Sequence, residues 1–310
     1  MKGRFIEALI SVSTIYLFII IGFTFKKVFK EQVNDRTLVL LSLYFLSPIL
    51  LFWGLTRAPI TMEFLTAPLI YYIAIFICLF FVYLYSLKAF KKQYQDKSIF
   101  LATSLVGNTG NLGIPLGIAL FGIQSVPYTS IINIANVFYI YIFSVYFFAG
   151  DKFNFKDSIK EILKIPAIHA SILALVYNYN GFTMNDDFEK LFTMGAYAAI
   201  VIQLVIFGIF IAQVKVRTAN WKLAFNISLF KHIILPLVGL FVILQFEIDP
   251  MIAAVIFLEL TVPLAVNNIN LASLYNCKPI DTTFSVLVGS GIFVLLMYFY
   301  IMIIQHFFGL

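Results

Sequence analysis

Long apolar runs alternate with short polar interruptions along the whole chain. Runs of about twenty apolar residues, enough for a helix to cross the hydrocarbon core, fall at roughly 5–25, 37–56, 65–87, 98–121, 127–149, 159–179, 190–214, 222–245, 250–274 and 282–307. The pattern predicts ten membrane-spanning helices joined by short loops. The first run has the length of a signal peptide but no small-residue cleavage site, and Lys26 and Lys27 follow it, so it reads as a retained span. So little sequence is left between runs that no soluble catalytic domain is expected.

Two runs are interrupted. The fourth contains "GNTGNLGIPLG" (107–117) and the ninth "LELTVPLAVNNINLAS" (258–273), each with a central proline, Pro115 and Pro263, and asparagines beside it. Proline removes a backbone donor and disfavours helix in the preceding residue. In hydrocarbon the freed groups must be satisfied by protein or by water in a cavity. Five spans bring the chain across the membrane at the 150–164 loop, so a second set of five starts from the opposite side. A single membrane domain over 1–310, made of inverted repeats at about 1–150 and 151–310, is the expectation. In such a repeat the fourth and ninth spans correspond, and their broken halves present N–H groups to an anion and C=O groups to a cation.

Composition agrees with a membrane protein and excludes a soluble one. The chain is 62% hydrophobic and 12% charged with a mean hydropathy of +0.97, and its 35 Phe and 17 Tyr exceed what an aqueous domain can hide. Two cysteines, Cys78 and Cys277, supply neither a disulfide framework nor a metal site. The net charge of +6 does not point to nucleic acid, because the basic residues sit in short loops. Of the 21 Lys and Arg, all but Lys2, Arg4, Arg57, Lys190 and Lys231 fall in the odd-numbered loops. The positive-inside rule then makes those loops cytoplasmic and places both termini outside, in a multi-pass protein of the cell membrane.

Several polar residues inside the runs are candidates for chemistry. Gly107, Gly110, Gly113 and Gly117 recur at intervals of three and four, so they share a helical face. Such a face suits close helix packing or a backbone crossover, and the absence of a following Gly-Lys-Ser/Thr argues against a phosphate loop. Asn108 and Asn111 beside the fourth-span break, and Asn267, Asn268 and Asn270 after Pro263, are candidate substrate or ion ligands. Glu259 lies four residues before Pro263, deep in the ninth span, where an acid is costly and usually serves an ion or proton pathway. Lys231 in the eighth span either snorkels to the headgroups or partners Glu259 or a substrate carboxylate. With Asn270 these two are ion-coupling candidates. His169, Gln203, Asn133 and Asn136 read as helix–helix hydrogen bonders.

The segments "GNTGNLGIPLGIALFG" (107–122) and "TVPLAVNNINLASLY" (261–275) resemble the two signature helices of the auxin efflux carrier family, whose bacterial members are malate- and malonate-permease-like. The resemblance runs over essentially the whole chain, including "LSPILLFWGL" (46–55) and "KIPAIHASILALVYN" (164–178). It implies an all-α, ten-helix, five-plus-five fold similar to bile-acid transporters and sodium–proton antiporters, with crossed fourth and ninth helices. Carried over by position, it marks Asn108, Asn111, Pro115, Pro263 and Asn267. The seventh span lacks a proline near Val201, and Val262 and Leu264 replace the more usual Met and Thr, departures that bear on substrate more than on fold. The expected function is secondary transport of a small organic anion, a mono- or dicarboxylate such as malate or an auxin-like acid, coupled to H+ or Na+. No cofactor is expected, no enzymatic activity and no Walker motif for ATP. A membrane-embedded ligand sensor is the alternative. Expected partners are the anion and the bilayer, and a homodimer is left open.

Overall fold

The computed structural model describes residues 2–213 and 220–310, apart from the side chains of residues 2–9, 11 and 12. Lys215 and Arg217, and the side chains of Lys2 and Arg4, therefore lie outside the described residues. The described chain is helical, with no strand and a single isolated β-bridge. In order, its helices are α1 (Lys2–Phe29), α2 (Asp35–Leu55), α3 (Met62–Ala89), α4 (Tyr94–Thr103), α5 (Thr109–Phe121), α6 (Ile123–Lys152), α7 (Phe155–Leu163), α8 (Pro166–Tyr179), α9 (Asp186–Ala212), α10 (Trp221–Ile243), α11 (Pro250–Thr261), α12 (Asn267–Leu274) and α13 (Pro279–Phe308). Six of them, α2, α3, α6, α9, α10 and α13, are long and apolar enough to cross a membrane, while α5 and α11 are shorter apolar helices.

Capping residues set most of the starts. Side chains of Asn34, Thr61, Asn185 and Asn220 accept from the backbone N–H three residues on, and Asp249 accepts from Met251 and Ile252 N–H. The expected single span 159–179 is two helices. Pro166 biases Ile165 out of the helical region, so α7 ends at Leu163 and α8 begins afresh. α7 carries Lys156 and Lys160 exposed, with Lys164 exposed just past its end, and buries Ser158 and Ile162, an amphipathic segment rather than a spanning one.

Pro263 lies at its expected break, between α11 and α12. Pro115 does not. The fourth run breaks at residues 104–108, and Pro115 sits within α5, where a widened π-helical turn over Thr109–Gly113 gives way to regular helix. The wider turn relieves the carbonyl that a proline ring would otherwise strike. So most of "GNTGNLGIPLG" is helix.

Two groups of helices result. α1 runs along α9, and α2 packs on α8 and α9. In the other group α3 packs on α6, α10 and α11, and α13 on α10 and α11. Small residues allow the α1–α9 approach: a methyl group on Gly208 would overlap the Ile19 carbonyl oxygen, and one on Gly22 the Val205 carbonyl. At the basic-loop end of the second group, the buried Asp96 carboxylate holds Lys278 Nζ and Asn220 Nδ2 (3.0 Å), while Asn220 N–H donates to Asp281 at 3.1 Å. The hydrogen bond to Asp96 lifts the Lys278 ammonium above its ordinary pKa. Gly208→Ala should destabilise the protein by about 1–3 kcal/mol, since the group struck is backbone and cannot rotate away. Thermal unfolding in detergent checks this, and an unchanged midpoint would contradict the close α1–α9 packing.

Candidate functional site

The two breaks meet. Asn108 N–H donates to the Pro263 carbonyl at 2.7 Å and Ala265 N–H to the Val106 carbonyl at 3.2 Å, pairing Gly107 with Leu264 as a two-residue antiparallel bridge. Each extended segment thus satisfies the other's backbone, which hydrocarbon requires. The half-helix ends are closed by side chains. At the end of α4, Ser104 Oγ donates to Phe100 O (2.6 Å) and Ser144 Oγ of α6 to Ala102 O (2.8 Å). At the end of α11, Thr261 Oγ1 donates to Leu258 O (2.7 Å) and Lys231 Nζ to Leu260 O (2.9 Å).

On one side of the crossing lies a cavity of about 230 Å³. Gly107 to Asn111 and Ile114 line it from the fourth run, and Ala265 to Asn267 and Asn270 from the ninth. The first turns of α5 and α12 therefore border the same space, although Asn268 and Ile269 N–H of α12 already donate to Ala265 O (3.2 Å) and Val266 O (2.9 Å). Asn133 and Asn136 of α6, Gln203 of α9, and Ser42 and Ser47 of α2 complete its polar wall. Among the described residues, no Asp, Glu, Lys, Arg or His lines it. Its remaining wall runs from Leu50 and Leu51 in the far half of α2 and Ile134 in that of α6 to Val39 and Leu43, Ile140 and Tyr141, Ala167 and Ile168, and Ile206 and Phe210, toward the loops predicted to be cytoplasmic.

Three asparagine pairs spaced i, i+3 converge here: Asn108 and Asn111, Asn133 and Asn136, Asn267 and Asn270. Their states differ. Asn136 donates to Gly107 O (2.8 Å) and Thr109 Oγ1 (3.0 Å) and accepts from Tyr71 Oη (3.2 Å), so it is committed to holding the crossing. Asn133 Oδ1 accepts from Thr109 Oγ1 at 2.9 Å. Asn267 and Asn270 are exposed to the cavity. Asn108 is 5% exposed and its Nδ2 has no partner, and the buried Gln203 Oε1 has none either, although its Nε2 donates to Ser47 Oγ. A donor and an acceptor already stripped of water are thus available to a ligand.

Not every residue singled out in the sequence arrives at the cavity. Asn268 is fully buried off its wall, because one residue of helix turns it about 100° from Asn267. Glu259 and Lys231 also lie outside the lining, fully buried behind the crossing. Lys231 does not snorkel, since its ammonium is spent on Leu260 O. The glycines explain themselves by contact. A methyl group on Gly107 would lie 3.0 Å from Lys231 Nζ, one on Gly110 2.8 Å from Asn133 Oδ1, and one on Gly117 2.8 Å from the Thr129 methyl, while one on Gly113 would strike the Glu259 carboxylate. The four do not share one helical face, because Gly107 lies in the extended bridge before α5 while the other three are within it. Asn133 and Asn136, taken in the sequence for packing residues, are cavity residues as well. Their i, i+3 spacing, shared with the other two pairs, is the signal that marks them. His169 Nε2 contacts Leu163 O at 2.6 Å near the α7–α8 joint, away from the cavity.

A multi-pass helical protein with a polar cavity where two broken helices cross is built as a membrane transporter. The membrane transport protein family, that of the auxin efflux carriers, matches residues 7–156 and 152–301, and the chain belongs to it. An uncharacterized transporter of Methanocaldococcus jannaschii is 25% identical over 183 residues, 55% of this chain and 57% of that protein. The match thus spans little more than half of that relative's length.

Asn136→Ala should leave Gly107 O and the Tyr71 hydroxyl unsatisfied and cost about 1–3 kcal/mol. Asn270→Ala, exposed and without a recorded partner, should change stability by less than about 0.5 kcal/mol. Unfolding midpoints of the two variants check this, and equal losses would contradict the division of labour.

Proposed function

We propose that the protein is a secondary active carrier of small organic anions, mono- or dicarboxylates of the malate or malonate kind. One observation carries the reading: the N-terminal turns of α5 and α12 and three asparagine pairs border a single cavity with no acidic wall. Helix N-termini attract negative charge, and amide N–H groups complete the coordination of a carboxylate without a fixed cation to trap it. A volume of about 230 Å³ is below the range of drug-sized pockets and suits a compact acid. Asn108 Nδ2, Asn111 and Asn267 are assigned to the substrate. Asn136 is assigned to the crossing.

Inverted repeats support the same reading. Under a five-plus-five correspondence the α1–α9 contact maps onto the α8–α2 contact, and both pairs are packed. Ten crossings follow if α4–α5 and α11–α12 each count as one broken span and α1 and α8 each cross beside the six long helices. The cavity lies between the α1, α2, α8, α9 group and the crossing group, so sliding one against the other carries the site from one face to the other. Part of its wall reaches toward the basic loops, which under the positive-inside rule supports an inward-facing reading of the cavity.

Counterflow of radiolabelled small carboxylates in proteoliposomes, with pH and sodium gradients varied separately, tests the proposal. Asn111→Ala or Asn267→Ala should abolish flux while the protein remains folded. If no organic anion moves under any gradient, or if both variants transport fully, the reading falls.

A further inference from the structure

The α4 and α11 half-helices end at the same crossing but are closed by different chemistry. Hydroxyl donors Ser104 and Ser144 serve the end of α4. At the end of α11 a lysine ammonium does part of that work, with Lys231 Nζ 2.9 Å from Leu260 O and no exposure to solvent. The C-terminal carbonyls of a broken helix carry partial negative charge, and in carriers of broken-helix design they are where a coupling cation is held. Beside them lies Glu259, fully buried, with neither carboxylate oxygen hydrogen-bonded. Its carboxylate rests against Gly113, and Gly107 faces the Lys231 ammonium. Lys231 and Glu259 act on each other through space without a direct ion pair among the described residues. Cys78, Tyr71 and His232 are the other titratable groups interacting with the two.

A buried carboxylate with no donors is costly unless a positive charge compensates it. A carbonyl terminus and a carboxylate, dry and adjacent, are the donor set for an alkali cation. In this chain the position is already taken by a side chain. We propose that the Lys231 ammonium is a tethered cation on the α11 terminus, taking the carbonyl that a free sodium ion would otherwise share with the nearby Glu259 carboxylate, so that this protein does not bind sodium at the crossing. The inference rests on the transporter reading only for its consequence, sodium-independent flux. The ion-binding claim itself stands on the geometry.

Lys231 cannot leave with the substrate. As a fixed part of the chain it stays at the α11 terminus, so under the proposed function the energy for transport comes from the anion's own gradient, the membrane potential or protons. The assignment also explains why residues 107 and 113 are glycine: any side chain there would enter the space the ammonium and carboxylate occupy.

Unfolding of the full-length chain in detergent, titrated with sodium chloride against choline chloride at equal ionic strength, tests the proposal without any transport substrate. The wild-type midpoint should be the same in both salts. Lys231→Ala should unfold at a lower temperature and recover saturably with sodium but not with choline. Wild-type protein stabilised by sodium overturns the proposal, and so does a Lys231→Ala variant indifferent to it. Should Lys231→Ala fail to fold, the double variant Lys231→Ala/Glu259→Gln removes both charges and should be more stable than Lys231→Ala. A double variant no more stable would show that the two charges are not paired, and would also overturn the proposal. None of these outcomes depends on which anion is carried, so failure here is separable from failure of the counterflow experiment.

Discussion

Two hydrogen bonds between extended segments hold the rest of this structure in place. Asn108 N–H on Pro263 O and Ala265 N–H on Val106 O pair the breaks of two helices inside a membrane, where an unpaired peptide group costs several kcal/mol. Neither break is tolerable alone. Because each supplies the other's partners, the four half-helix ends are pinned to one point. The two N-terminal turns then border the cavity, and the two C-terminal ends are closed by Ser104 and Ser144 on one side and by Thr261 and Lys231 on the other. Electrostatic asymmetry follows from backbone geometry before any charged side chain is considered: positive ends toward the cavity, negative ends away from it.

The polar residues around this point divide into those that hold it and those left free. Asn136 spends both ends of its amide on Gly107, Thr109 and Tyr71. Asn108 Nδ2 and Gln203 Oε1 are buried and unspent, and Asn267 and Asn270 are exposed to the cavity. Such a division lets a rigid crossing carry a site that still offers hydrogen bonds. The charges are kept apart from it. Placing Lys231 and Glu259 behind the crossing leaves a cavity wall with no charged side chain among the described residues, so helix-end dipoles and amides are its polar groups.

Hydrophobic periodicity made the runs legible, and capping asparagines fixed where several helices start, yet the break in the fourth run lay several residues from where its proline pointed. Pro115 is absorbed by a widened turn, whereas Pro263 has no such relief and stands in the extended segment. A proline marks a missing donor, and which carbonyl must compensate depends on neighbours distant in sequence. The same limit applied to the asparagines. Asn268, adjacent to Asn267, is turned into packing by the helical pitch, while Asn133 and Asn136 reach the cavity because α6 crosses behind Gly107 and Gly110. Residue type announced the chemistry. Only the crossing decided which amides share a space.

The account is most directly tested by asking whether residues from both halves face the same anion-accessible cavity. In a variant with Cys78 and Cys277 replaced, Ile134→Cys and Asn270→Cys, both on the cavity wall, should each react with a membrane-impermeant thiol reagent applied from the basic-loop face. The same small carboxylate should slow both reactions, and an uncharged analogue should slow neither. Reaction from the opposite face only, or protection of one position without the other, would contradict a single anion site at the crossing.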